Sequence, residues 1–205
     1  MTSLMTMFRP LAVLVALLAL AQPAAAQFTD RYNFFKAVKE ADILKVKSLI
    51  DQPGSALINM RDTESGGMAL HIVTKRRDAA WMNFLIVSGA DVNARDNDGN
   101  TPLMVAAQLG FVDGIQALVR RKAKIDLANN RGETPLIVAV QLRSAPVVRE
   151  LLAAGANPDT TDNVSGQSAR DYATVDRRAA AILRMIRDND AKKAEPAATP
   201  TVPIQ

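Results

Sequence analysis

The glycines and prolines of this chain recur at a fixed step. DNDGNTPLMVAAQLG, from Asp96, and NNRGETPLIVAVQLR, from Asn129, can be laid over each other so that Gly99 meets Gly132 and Pro102 meets Pro135. The same step back from Gly99 reaches Gly66, and one place more than the same step beyond Gly132 reaches Gly166. A second marker keeps the phase: Gly89-Ala90-Asp91 and Gly155-Ala156-Asn157 bracket Lys122-Ala123-Lys124 at that same interval. A period of about 33 residues describes one small supersecondary unit, which can bury its apolar side only by stacking on its neighbours.

The residues inside each unit say what that unit is. Thr before Pro supplies a capping oxygen followed by a residue with helical φ and no wasted donor, so Thr101-Pro102 and Thr134-Pro135 predict helix starts. Ser168 through Asp171 reads as a capping box. Leu103, Ala106 and Ala107 predict a short first helix with a small-residue face. A second helix carries bulkier groups: Trp81, Met82, Phe84, Leu85 and Ile86 in one unit, Val147, Val148, Leu151 and Leu152 in another. Gly89 and Gly155 then close that helix in a left-handed conformation. Gly114 falls inside a second helix, at about 1 kcal/mol relative to Ala, and Lys122 stands where the closing Gly is expected. Both read as tolerated drift in the unit from Asp96. At the end, Ala179, Ile182, Leu183 and Ile186 form an inward line among Asp176, Arg177, Arg178, Arg184 and Arg187, as a capping helix requires.

This pattern resembles the ankyrin repeat, a β-turn, T-P-L-H-x-A and two helices recurring every ~33 residues. The units from Asp96 and Asn129 match best. The unit near Asp62 keeps Leu70-His71 but has Met68-Ala69 for Thr-Pro, and the one near Asp162 keeps only Ser168 and Ala173. FFKAVKEADILKVKSLI, from Phe34, resembles a first repeat without its turn. The resemblance covers about Tyr32 to Arg187 and implies an all-α ankyrin-repeat solenoid of about five helix–turn–helix units with atypical ends, assigned to residues 27–187.

Both ends are expected to lie outside that fold. Residues 1–26 read as a secretory signal, with Arg9, the apolar run LAVLVALLAL and small residues leading to cleavage after Ala26. The run is too short for a spanning anchor, which needs about 20 apolar residues. The expected address is periplasmic or secreted, in a bacterium. Residues 188–205, DNDAKKAEPAATPTVPIQ, read as a disordered tail because they offer little apolar surface to offset ordering entropy.

Composition narrows the chemistry. The 205 residues include no Cys and one His, which excludes a disulfide framework, thiolate metal sites, a cysteine nucleophile and an imidazole cluster. No phosphate-cradling Gly-rich loop, G-x-S-x-G or H-E-x-x-H is present. Asp96-Asn97-Asp98-Gly99 begins like a calcium loop but lacks the Glu at loop position 12, so it reads as a turn. His71 occupies the His position of the motif, where the resemblance implies hydrogen bonds to neighbouring backbone. Lys75-Arg76-Arg77 and Arg120-Arg121-Lys122 with Lys124 read as cations complementing helix carboxyl ends, with attraction to anionic lipid headgroups or an acidic partner as the alternative. No cofactor, no metal and no nucleic-acid partner are expected; the membrane is met only through the signal, and the chain is expected to be a monomeric non-enzyme.

What the resemblance implies about function is protein binding on the concave side formed by turn tips and first helices. The motif places Arg95, Asn97, Asp98, Asn100, Gln108 and Leu109 there in one unit, and Asn130, Arg131, Glu133, Gln141 and Leu142 in the next. Leu109 and Leu142 stand out as apolar groups at outward positions. The expected role is a scaffold in the bacterial envelope that supports an envelope or stress-defence enzyme, with an inhibitor or immunity-like binder of a secreted enzyme or toxin as the alternative.

Overall fold

The structure is a computed structural model that describes residues 24–194. The leader, apart from its last residues, and residues 195–205 of the tail lie outside the described residues. All regular elements among those described are helical; the extended pieces are two isolated antiparallel bridges, Arg61 with Met68 and Thr161 with Ser168. Two compact units divide at Leu57 and Ile58.

The first unit is a helix pair, α1 (Ala24–Glu40) and α2 (Ile43–Ile50). Ala41 turns the chain with φ +60°, and Asp42 caps α2 by accepting the Lys45 N–H at 2.9 Å. Phe34, Phe35, Val38, Val46 and Leu49 are buried, the two rings meeting edge to face at 5.1 Å.

The second unit stacks four helix pairs: α3 (Ala69–Lys75) with α4 (Ala79–Val87), α5 (Pro102–Leu109) with α6 (Val112–Arg120), α7 (Pro135–Gln141) with α8 (Ala145–Ala153), and α9 (Ala169–Val175) with α10 (Ala180–Ala194). First helices pack on first helices and second on second along the whole series. Thr101, Thr134 and Ser168 cap their helices as the sequence predicts, through Met104, Ile137 and Asp171 N–H groups. The small face explains the close stacking: Leu103, Ala106, Ala107, Leu136, Ala139 and Ala173 are almost fully buried between neighbours. The last helix turns Ile182 and Ile186 inward beyond the buried Ala179 of the turn before it, with Leu183 half-buried beside them.

Turn glycines serve the stack in two ways. Gly99 and Gly132 both have φ +78°, and a Cβ on either would stand 2.9 or 2.6 Å from the backbone nitrogen of Asn130 or Asn163 in the next unit. Those nitrogens donate to Asp98 O and Arg131 O, so the turns are stitched together where a side chain would intervene.

Two expectations need correction. Gly114 is not drift: a Cβ there would lie 2.3 Å from the Phe111 ring, which folds back over the helix and is 7% exposed. The glycine makes room for a buried aromatic. Gly114→Ala should therefore destabilise by about 1–2 kcal/mol, where helix propensity alone forecasts a gain of about 1 kcal/mol. Thermal unfolding of Gly114→Ala, Phe111→Ala and the double variant checks this, because relief of the overlap makes the two changes non-additive.

The second correction concerns the tail. Helix α10 continues past Arg187 to Ala194. DNDAKKA holds good helix formers, and the prolines that weigh on the tail's composition begin only at Pro196. Asp190 is held by Arg170 at 2.8 Å, and Arg170 also clasps Asp159 through two bonds of 2.6 and 3.0 Å.

Candidate functional site

Several expected site residues are engaged by the stack, one of them buried in it. Asn100 is 8% exposed; its N–H and amide reach the Asp96 carboxylate, and its Oδ1 accepts from Asn129 Nδ2 at 3.3 Å. It is a seam residue, buried between units and not projecting from the outer face. Arg95 and Asn97, though exposed, also serve the seam. Arg95 donates across to Ala128 O at 2.7 Å, while Arg61 donates to both Asn97 Oδ1 and Arg95 O. Asn130 donates its amide to Asn97 O at 3.1 Å. Glu133 has a largely covered carboxylate that receives Asn129 and Arg131.

His71 anchors this seam from below. It is fully buried; Nδ1 accepts the Met68 N–H at 3.2 Å and Nε2 donates to Asn100 O at 2.9 Å, tying one unit to the next. Those two bonds assign the neutral form with its proton on Nε2. Burial pushes its pKa below the ordinary value of 6.5, despite the attraction of Asn100 O and Asp96.

A second ladder, which the motif does not flag, runs along the loops after the second helices. Asn59 Oδ1 accepts Asp91 N–H, Asn93 Oδ1 accepts Lys124 N–H and Asp126 Oδ1 accepts Asn157 N–H, at 2.8 to 3.1 Å. Its signal is present in the sequence: Asn59, Asn93, Asp126 and Asp159 follow the repeat spacing. At the last rung no further unit is present among the described residues to supply the N–H, and Arg170 takes Asp159 instead.

Between the units of α3, α5 and α7 the surface opens into a polar groove of about 440 Å³. Its floor is Val105 with Asn100 and Asn129. Its walls are Lys75, Asp96, Asp98, Gln108, Asn130 and Arg131. Among the expected residues, Asp98, Gln108, Asn130 and Arg131 therefore meet here as walls, over the buried Asn100 of the floor. Arg95, Asn97, Leu109, Glu133, Gln141 and Leu142 lie off the groove lining. The sequence reading makes Lys75 only a helix-end cation, yet it precedes Gln108 by one period and Gln141 by two, so extending the motif one unit back finds it. Leu109 is half-buried, whereas Leu142 is 55% exposed.

The charge pattern of the groove is mixed. Arg131 is drawn to Glu133 at 2.6 Å, which raises its pKa, and it remains mostly exposed. The Asp96 carboxylate is held by Asp98 and Asn100 N–H groups, as a turn requires. The other two cations beside Lys75 turn away: Arg76 sits 5.4 Å over the Trp81 ring and pairs with Asp78, and Arg77, at φ +57°, donates to Leu109 O. Such a surface offers amides and charges of both signs around a single apolar residue, Val105.

Comparison with known proteins agrees with this architecture. A family model described as ankyrin repeats (3 copies) matches residues 34–129 and 70–162. The chain is 39% identical over 61 residues, 30% of its length, to mouse protein phosphatase 1 regulatory subunit 12A, spanning 6% of that protein. It is 37% identical over 71 residues, 34% of its length, to the putative ankyrin repeat protein FPV031 of fowlpox virus, spanning 21% of it. Human diacylglycerol kinase iota is 37% identical over 68 residues, 33% of this chain and 6% of the kinase. The chain thus spans only a small part of these curated relatives. Matched over most of its described length by the family model, with capped helix pairs in one repeating register, the chain belongs to the ankyrin-repeat family, whose repeats are non-enzymatic protein–protein interaction modules.

Proposed function

We propose that this protein grips another protein along the groove walled by Lys75, Asp98, Gln108, Asn130 and Arg131, acting after export as an envelope scaffold. The observation that carries the reading is the division of labour among polar side chains. His71, Asn100, Asn129 and Arg95 are committed to the stack, whereas Lys75, Gln108 and Gln141 repeat at one register along successive first helices and are exposed. A rigid seam beneath an outward row is the arrangement of a preorganised binding face. The leader-like residues 1–26 support export, and Leu142 adds an exposed apolar group near the row.

The test joins in-cell crosslinking to two variants. Lys75→Glu with Asp98→Lys and Gln108→Arg alters the groove walls without touching seam bonds. Leu109→Asp with Leu142→Asp alters the apolar pair. Loss of one specific crosslinked envelope protein by the first variant, at unchanged melting temperature, supports the groove. Retention by both variants removes it. One-to-one mixing with the captured protein separates scaffold from inhibitor, since only an inhibitor abolishes that protein's activity. An intact mass beginning at Gln27 in the periplasmic fraction supports export, and an uncleaved cytoplasmic form overturns it.

A further inference from the structure

The end of α6 carries a charge cluster that the fold does not use. Arg120, Arg121, Lys122 and Lys124 put four cations on one short stretch of chain, all exposed. Cations at a helix carboxyl end commonly serve its free carbonyls. Here the main chain does that itself: Lys122 N–H donates to Val119 O at 2.9 Å and Ala123 N–H to Leu118 O at 3.0 Å. Gly89 and Gly155 close α4 and α8 with the same two bonds. None of the four side chains has a carboxylate within ion-pair distance among the described residues, in contrast to Arg76, Arg131, Arg143 and Arg170. Of the acids nearest in sequence, Asp126 holds the Asn157 N–H, and Asp113 lies at the other end of α6.

The same places in neighbouring units show that the repeat does not need these residues. The following unit has Ala153, Ala154, Gly155 and Asn157 there. Lys122 even adopts φ +60°, where both neighbours use glycine. Its backbone is nonetheless fixed, and Lys124 is pinned through its N–H to Asn93. Four cations without acidic partners on a rigid, left-handed helix end form a prearranged positive surface, on a different element from the groove.

We propose that Arg120, Arg121, Lys122 and Lys124 form a docking surface for an acidic protein segment. Two adjacent guanidinium forks match carboxylates bidentately, and four exposed cations within five consecutive residues concentrate positive charge at one helix end. An anionic membrane is the weaker fit. Val119 is half-buried and Ala123 is buried, so the stretch from Arg120 to Lys124 adds only charge, and stable attachment to lipid takes a second signal besides charge. The surface is independent of the groove and stands if the groove reading fails.

The experiment measures binding of a fluorescein-labelled hexaglutamate peptide to the full chain by anisotropy, across about 50 to 200 mM salt. One variant carries the following unit's residues: Arg120→Ala, Arg121→Ala, Lys122→Gly and Lys124→Asn. It keeps the helix closure, and its melting temperature is expected to equal or exceed that of the parent chain because glycine suits the left-handed backbone at Lys122. A second variant, Arg120→Gln, Arg121→Gln and Lys124→Gln, leaves the closure untouched. Binding that weakens with salt and drops about tenfold or more in both variants, while Lys75→Gln with Arg131→Gln changes it by less than about twofold, supports the proposal. Equal binding by parent and variants overturns it. So does flotation with phosphatidylglycerol vesicles, lost in the variants, in the absence of peptide binding.

Discussion

His71→Ala should lower the unfolding free energy by roughly 3 kcal/mol, from one orphaned buried carbonyl contact, one orphaned N–H and the lost packing of a fully buried ring. Chemical denaturation of parent and variant at pH 7.5 measures it. The residue joins Met68 in one unit to Asn100 in the next, so its loss weakens an interface as well as a unit. In a linear array stability is a sum of unit and nearest-neighbour terms. The variant is therefore expected to show a broader transition, with the part around α3 and α4 opening first in hydrogen exchange.

The same imidazole imposes a pH dependence of known sign. Its folded pKa is depressed below 6.5, so the unfolded chain binds the proton more readily. Stability is full above about 6.5 and falls as pH drops through that value, by at most about 1.4 kcal/mol per pH unit, until the folded form also protonates. A His71→Gln variant should flatten the decline between pH 7.5 and 5.5. An unchanged decline would assign it to other groups.

The second large effect lies at the longer turn. Asp162 is 5% exposed; burial pushes its carboxyl up, but the Tyr172 hydroxyl, the Ser165 N–H and hydroxyl and the Val164 N–H outweigh this and hold it down to about 2. The Tyr172 bond is 2.6 Å. Relative to 3.8, that shift corresponds to roughly 2 kcal/mol of stability at neutral pH. The contribution is present above about pH 3.8 and is lost as pH falls towards 2. Asp162→Ala should cost roughly 2–3 kcal/mol at pH 7 and almost nothing extra at pH 2, and Tyr172→Phe should cost about 1 kcal/mol. Urea titrations at both pH values check the pair.

Asp162 also shows why its turn departs from the others. The extra residue before Gly166, visible in the sequence, lets one carboxylate gather Val164, Ser165 and Gly166 N–H groups. Asp62 does the same with Glu64 and Ser65 in the other long turn, and these two turns carry the isolated bridges. The insertion is a shell of donors around a carboxylate and not a lengthened loop, which only the tertiary structure decides.

The sequence alone determined the period, the helix pairs, the caps at Thr101, Thr134 and Ser168, and the inward Leu and Ala faces, because each depends on residues a few places apart. It also located Asp98, Gln108, Asn130 and Arg131 on the outer surface. Tertiary structure decided which polar side chains are free. Asn100, Asn97 and Arg95 are chemically fit for recognition, yet groups a whole repeat away in the chain take their hydrogen bonds. Gly114 is explained only by the ring of Phe111, and the helix past Arg187 is held partly by Arg170 on another element. Local pattern sets the unit, since backbone dihedrals and caps are local. Whether a side chain faces a neighbour or the solvent depends on the stack, since a hydrogen bond across units exists only once the units have met.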